Sequence, residues 1–437
     1  MQSQWTRRRF LAALSASGAA LGSVPLLEAC GSGSSSSGTV ELTWAMQNNA
    51  ENIELATKVA KQYNASQKKG RLKVLSYPGT TTQQYQQKLL SDLTAGTLPD
   101  LLAVSDNFVK PFFQQHLIAD LKPLAQSAHY DLSKFNKLFM SLARYQNKVG
   151  FLPRAADVVV MYYNKRMFGE AGVSYPTADW TTGDFLAAAE KLTKRSGNVV
   201  TQWGATAQYD WWAYWVPLVV AEGGEILSSD HKRTVFNSSE GVRAWNIIFT
   251  GLKNGWFCPP STQNAMGNPY APFASAKAAM TFTIRDECVV LREQLKDDWD
   301  VQLVPKGGAQ RKSGMGTTGY GISSGTKNRD AAWDALQYIF TTGLDVFMKS
   351  YLVVPPITTD YKSPAWRNLP PPPHNNQVFV DALDYAMTPP PLPFYTTGPF
   401  ATAVDNGISA VLLGQQSAQQ AVNGMVAAAN QALQQGG

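Results

Sequence analysis

From Thr39 onward the chain alternates strand-type and helix-type hydrophobic periodicity, and that alternation leaves it few architectures. Val40, Leu42 and Trp44 occupy every second position, between Thr39, Glu41 and Thr43, the period of a strand with one face buried. Ile53, Ala56, Ala60 and Tyr63 follow at helical spacing, with Val59 beside them. A second strand is expected over 72–75, then a helix with Tyr85, Leu89 and Leu93 on one face, then the short apolar run 101–104 ahead of Ser105-Asp106. Strands and helices in this order predict α/β layering around a largely parallel sheet. The pattern restarts after Gly150. There 157–163 reads as a buried strand, Phe185, Ala188, Ala189 and Leu192 as a helix face, and 278–283 and 301–304 as further strands. Trp333, Leu336, Ile339 and Phe340 mark another helix, and Ala421, Val422, Met425 and Ala428 a last one. A chain of 437 residues is long enough for two or three cores. Ten of its 25 prolines crowd between Pro364 and Pro399. That stretch is excluded from any ordinary helix or central strand. It reads as a semi-rigid connection between lobes, with a short helix at 378–387.

The N-terminus reads as an address. Thr6-Arg7-Arg8-Arg9-Phe10-Leu11 resembles a twin-arginine export signal. Residues 10–27 are interrupted by Gly18, Gly22, Pro25 and several serines, too weak for a membrane span and suited to a cleaved signal. Leu27-Glu28-Ala29-Cys30-Gly31 resembles a bacterial lipobox: Leu27, Ala29 and Cys30 match, whereas Glu28 departs from the small or β-branched residue usual there. Residues 31–38 are glycine and serine only, a flexible tether. The expectation is a signal peptide at 1–29 and a tether at 30–38. A lipid on Cys30 would hold the exported protein at the outer face of the cytoplasmic membrane.

Composition and spacing exclude several functions. The net charge is +6, with no Lys/Arg run in the body, so nothing draws the chain to nucleic acid. Three cysteines do not make a disulfide scaffold. Cys258 and Cys288 read as buried thiols, and a single bridge between them stays open. His116, His129, His231 and His374 are scattered without metal-ligand spacing, so no metal or other cofactor is expected. Gly314-Met315-Gly316-Thr317-Thr318-Gly319 matches G-x-G-x-x-G, yet strand-like residues follow where a phosphate cradle needs a helix. Gly321-Ile322-Ser323-Ser324-Gly325 matches G-x-S-x-G, but only His374 lies downstream to complete a triad.

A series of motifs carries a resemblance. Leu98-Pro99-Asp100-Leu101-Leu102 leads to Asp106 and Phe108, then Leu117-Ile118-Ala119-Asp120-Leu121. Gly150-Phe151-Leu152-Pro153 precedes Tyr162-Tyr163-Asn164-Lys165, Phe168, Ala171-Gly172, Trp180 and Phe185. Pro217-Leu218, Ala221-Glu222-Gly223-Gly224, Lys277-Ala278-Ala279-Met280, a glycine loop at 314–321 and Ala331-Ala332-Trp333 follow in order. In order and spacing these resemble the sugar-binding, maltose-binding-like branch of the extracellular solute-binding proteins, across about residues 39–437. The resemblance implies an α/β, two-lobed periplasmic-binding-protein-like fold with a ligand cleft between lobes joined by crossing hinge segments. It implies lobe 1 at 39–153 plus 323–365 and lobe 2 at 154–322 plus 366–437. The crossings would lie near Pro153-Arg154, at 320–323 and in the proline-rich stretch. It also implies a monomer that closes on a carbohydrate and delivers it to the permease subunits of an ABC importer.

Sugars present hydroxyls at the rim, suited to carboxylates and amides, and C–H faces suited to flat aromatics. Candidate ligand residues stand where strands end. Asn48 and Asn49 follow the first strand, with a plain turn as the alternative. Asp106 and Asn107 follow the third, with a helix cap as the alternative. Arg154 and Asp157 flank the first crossing, where a structural ion pair competes with a ligand role. In the cluster 209–215, Asp210, Trp211 and Trp212 are the stacking candidates, while Trp215 shares a helical face with Leu218 and Val219. Arg285 and Asp286 stand where the family often carries a cleft aromatic. Either they pair with each other or they favour an anionic or amino sugar. Tyr320, Tyr395 and Phe400 complete the set. The rival functions are a secreted carbohydrate-active hydrolase using Asp106 and Asp157 as paired carboxylates, a surface adhesin, and a binder of another solute such as a peptide or glycerophosphodiester.

Overall fold

The computed structural model describes residues 39–47, 50–68, 70–77, 82–390 and 399–435. In chain order its strands begin with β1 (Val40–Gln47), β2 (Gly70–Tyr77) and β3 (Leu101–Ser105). A short hairpin follows, β4 (Arg144–Tyr145) and β5 (Lys148–Val149). Next come β6 (Leu152–Val158), β7 (Val160–Asn164), β8 (Lys194–Ser196) and β9 (Val199–Thr206). The last are β10 (Ala278–Thr283), β11 (Trp299–Gln302), β12 (Ser313–Ile322) and β13 (Ala386–Met387). They build two sheets. One runs β13-β12-β3-β1-β2 with β6 also on β12; the other runs β11-β7-β10-β9-β8.

The alternation seen in the sequence is realised most fully in the first lobe. β1 pairs in parallel with β2 and with β3, with Leu42 opposite Leu72 and Trp44 opposite Leu101. The helix Ala50–Ser66 joins β1 to β2 and buries Leu55, Ala56, Val59, Ala60 and Tyr63 against them. Trp333, Leu336 and Ile339 of the helix Arg329–Ile339 belong to the same core. The second sheet departs from the expected parallel arrangement: β7 is antiparallel to β10 and β11, β8 is antiparallel to β9, and only β9 and β10 run in parallel. The physical reason is connectivity. β7 follows β6 after a single residue, so it enters the second sheet directly from the first, in the direction the crossing strand sets. The buried run expected as one strand at 157–163 is accordingly two, with Val159 between them donating its N–H to Gly314 O at 3.0 Å.

Two strands lace the lobes together. β6 and β12 are antiparallel from Met315↔Val158 to Tyr320↔Leu152, with a register shift between Thr318 and Gly319. The far end of β12 also pairs with β3, with Gly321 opposite Leu102. The segment expected as a glycine loop is thus a ten-residue strand. Its glycines are demanded by close backbone approach. A Cβ on Gly319 would lie 2.0 Å from Leu152 O, one on Gly321 2.4 Å from Gly150 O, and one on Gly314 2.4 Å from Ala213 O.

In the second lobe the aromatic cluster around 209–215 is mostly core. Tyr209, Tyr214 and Trp215 are buried with Phe236, Trp245 and Phe282. The helices Ser239–Lys253 and Thr182–Leu192 start at capping residues Ser238 and Thr181, the latter in a reciprocal capping box with Asp184. The opposite face of that sheet is covered by Trp366, Phe379 and Ala382. The short helix expected at 378–387 is Val378–Asp381, continued by a 3-10 turn to Tyr385. Among the described residues no helix is long and apolar enough to cross a membrane.

Candidate functional site

Polar side chains from both lobes and from both crossing strands meet around one cavity of about 180 Å³. β1 brings Gln47 and the following helix brings Asn52. β3 ends beside it at Ser105, β6 supplies Arg154 and Asp157, and β12 supplies Thr318 and Tyr320. Asp286 comes from the second lobe, directly after β10. Tyr85, Phe108 and Phe112 give the cavity flat apolar walls. A smaller pocket of about 40 Å³ lies within the second lobe and has Lys312 as its one charged wall residue, and a surface bay lies on the first lobe alone, over 122–149. Neither brings the lobes together.

The cavity is acidic. Asp106 opens a 3-10 turn and accepts hydrogen bonds from Asn107 N–H at 2.8 Å and Thr317 N–H at 3.2 Å. Burial outweighs those bonds and pushes its carboxyl up to about 6. Gly316 makes room for it, since a Cβ there would stand 3.2 Å from Asp106 Oδ2. Asp157 lies opposite Gly316 in the ladder. Burial first, then the charge of Asp286, drives Asp157 well above the usual carboxylate range, with Arg154 opposing. Burial raises Asp286 as well. Glu51 and Glu287 are each pushed up to about 7, chiefly by burial, with Asp286 adding to both. Arg154 is the cation whose charge acts on Glu51, Asp157 and Asp286. Its Nη1 donates to Asn52 Oδ1 at 2.9 Å and its Nη2 to Thr318 Oγ1 at 3.3 Å, with the ring of Phe347 below. Such a set of carboxylates, an amide and aromatic walls can hold a polyhydroxylated ligand through many lone pairs at once.

The sequence candidates divide. Asp106, Arg154, Asp157, Asp286 and Tyr320 come together at or beside the cavity. Arg154 and Asp157 form no ion pair within 4 Å; Arg154 bonds instead to Asn52 and Thr318. Asn107 is exposed beside Asp106. Asn48, Asn49 and Tyr395 lie outside the described residues, as does Cys30. Trp211 is half-buried and Trp212 is only 8% exposed within the second-lobe core. With Asp210 they stand outside the set that lines the cavity.

Two expectations are corrected. Phe400 is completely buried, packed on Trp215 and Phe236, so the helix it opens uses it as core. Arg285 does not face the ligand, nor does it pair with Asp286. It is 1% exposed, donates from Nη1 to Asn376 Oδ1 at 2.8 Å, and lies over the rings of Phe379 and Trp366. Successive residues of the turn after β10 send their side chains to opposite sides, Arg285 inward and Asp286 toward the cleft. Sequence reasoning missed Glu51, Asn52, Thr318 and Glu287. The first two sit three positions past Asn48 and Asn49, where a strand-end argument stops too early.

Comparison with known proteins agrees with this architecture. A binding protein of Brucella abortus (strain 2308) is 27% identical over 266 residues, 58% of this chain and 61% of that protein. The match therefore spans under two thirds of that relative's length. An arabinooligosaccharide-binding protein of Halalkalibacterium halodurans is 23% identical over 265 residues, 58% of this chain and 57% of that protein. An ABC substrate-binding protein of Listeria monocytogenes, solved in complex with cycloalternan, superposes with a TM-score of 0.78 at 21% identity, covering 90% of this chain and 99% of its own. The model of the bacterial extracellular solute-binding protein family matches residues 49–344. Two lobes laced by β6 and β12, a polar cavity at their junction and that family match over most of the body lead to one conclusion: this chain belongs to the bacterial extracellular solute-binding proteins.

Proposed function

We propose that the chain binds an extracellular carbohydrate in the cavity between its lobes and delivers it, without chemical change, to an ABC importer. The observation that carries this reading is the wall of the cavity, where Asp157, Asp286 and Asn52 offer hydroxyl-binding oxygens next to Tyr85, Phe108 and Phe112, with Asp106 beside them. The sugar ligands named for the Halalkalibacterium and Listeria proteins support it. Closure of the lobes about β6 and β12 would present the loaded form to the permease. In this reading the lobes divide at 153/154, 322/323 and 365/366. The protein works as a monomer exported through its twin-arginine-type signal and tethered at the outer face of the cytoplasmic membrane by a lipid on Cys30.

The test is a thermal-shift screen of the mature protein against a sugar panel. A ligand specific to the folded state raises the midpoint with concentration. A concentration-dependent shift with a carbohydrate, and recovery of that carbohydrate uncleaved, is the expected result. Shifts confined to peptides or phosphodiesters would overturn the carbohydrate assignment. Cleavage products that disappear in Asp157→Asn would overturn the binding role in favour of a hydrolase. For the tether, Cys30→Ser is expected to move the protein out of the membrane fraction.

A further inference from the structure

We propose that the carbohydrate this cavity selects carries a protonated amine, so that the protein is a receptor for cationic amino sugars. The inference rests on the binding role proposed above and narrows it.

The argument begins with charge balance. Asp157 and Asp286 line the cavity, Asp106 lies beside it, Glu51 and Glu287 flank Asp286 from the first and second lobes, and Arg154 is the cation that acts on Glu51, Asp157 and Asp286. Arg154 is already engaged with Asn52 and Thr318. It can serve as counter-ion to one of these five carboxyl groups. Arg285, two residues beyond β10 and beside Asp286, adds nothing, because its guanidinium is sequestered against Asn376, Phe379 and Trp366.

Unused hydrogen-bonding capacity points the same way. The hydroxyl of Tyr320 has no partner among the described residues, though the side chain is 1% exposed and forms part of the cavity wall. Asp286 Oδ1 is likewise buried without a donor. Leaving a buried polar group unpaired is costly, more so when it is charged, so these two oxygens call for donors. The ligand hydroxyls of a neutral sugar would supply donors but no charge. An ammonium supplies three donors and the missing positive charge together. A phosphate- or carboxylate-bearing sugar would instead place like charges side by side. A bare metal ion is not the alternative, for no group of three acidic or other ligating side chains among the described residues is arranged to hold one.

The experiment is isothermal titration calorimetry of the mature protein at pH 6, where the free amines are already protonated, with matched triplets that differ only at C2 positions. Glucosamine, glucose and N-acetylglucosamine form one triplet, the three galactose counterparts a second. The glucosamine disaccharide, cellobiose and diacetylchitobiose form a third. A charge-assisted bond predicts that the free amine of a binding triplet is preferred by roughly tenfold over its hydroxyl and acetamido partners. That preference, read as the ratio of amine to hydroxyl affinity, is expected to collapse in Asp286→Asn. Should that variant be unstable, the wild-type protein gives the same information through titrations in buffers of different ionisation heat. Amine binding releases protons from the cleft carboxylates, and neutral-sugar binding does not. Equal or tighter binding of the hydroxyl or acetamido member overturns the cationic selectivity and leaves the carbohydrate reading standing. Binding of no sugar in any triplet counts against both.

Discussion

Replacing Asp106 by asparagine should make the ligand-free protein more stable at neutral pH, because the cleft holds this carboxyl against its preference. Burial raises it from 3.8 to about 6 even though two backbone N–H groups bond to it. The folded protein therefore keeps this proton to higher pH than the unfolded chain does. The associated stability is complete below about pH 3.8 and is lost as pH rises through about 6. The displacement amounts to about 3 kcal/mol of stability absent at pH 7.5. Asparagine escapes that loss but presents one acceptor oxygen where the carboxylate serves both Asn107 N–H and Thr317 N–H. Leaving one of these unpaired costs about 1 kcal/mol. The net gain is about 2 kcal/mol at pH 7.5, or about 2 °C in the midpoint for a body of this size. At pH 4 the order should reverse, with wild type ahead by about 1 kcal/mol. Asp157, whose own proton affinity is raised in part by Asp106, contributes in the same direction. Thermal denaturation of both proteins from pH 4 to 8, without ligand, gives the difference directly. A difference that stays constant across this range, or an asparagine variant below wild type throughout, would refute the reasoning.

Three further outcomes follow from the packing. Gly319→Ala forces a Cβ to within 2.0 Å of Leu152 O and should cost more than about 3 kcal/mol or prevent folding. Gly424→Ala, in a helix with nothing within 4 Å, should stabilise by about 0.5–1 kcal/mol, and chemical denaturation of the pair measures the contrast. Arg285→Met removes a buried guanidinium with two unpartnered nitrogens and no carboxylate within 4 Å; stability should hold or rise by about 1 kcal/mol and ligand affinity should not change, as denaturation and calorimetry will report. Cys258 and Cys288 are free, buried, and pushed by burial up to about 12 and about 11, so a thiol-reactive dye should label neither at pH 8 in the native protein and both after denaturation.

How much of this was legible in the sequence varies with the kind of information each residue carries. Val40, Leu42 and Trp44 announce β1, and Ala56, Ala60 and Tyr63 announce the helix beside it, because period alone decides those elements. Period says nothing about strand direction, which is why the largely antiparallel second sheet was out of reach. Asp106 and Asp286 were found by asking where strands end, and Arg154, Asp157 and Tyr320 by their place at the crossings; the structure brings them to one place. Arg285 and Phe400 misled for a common reason: a charged or aromatic residue near a strand end or crossing has two sides to choose between, and only the packing of Trp366, Phe379, Trp215 and Phe236 settles which. Glu51, Asn52 and Thr318 carry no spacing signal of their own. They become part of the site only because Arg154 reaches across to Asn52 and Thr318.

The bare strand β12 has a consequence for how such chains are read by pattern alone. Its glycines contribute to two well-known catalytic spellings, one for a phosphate cradle and one for a nucleophile elbow, yet Gly314, Gly319 and Gly321 are there because a methyl group would strike a neighbouring main chain. A mutational scan of this chain would find Gly314, Gly319 and Gly321 intolerant of every substitution and mark the strand as a hot spot. That intolerance would look like the footprint of an active centre. Here it is the signature of two ribbons crossing too closely for any side chain to stand between them.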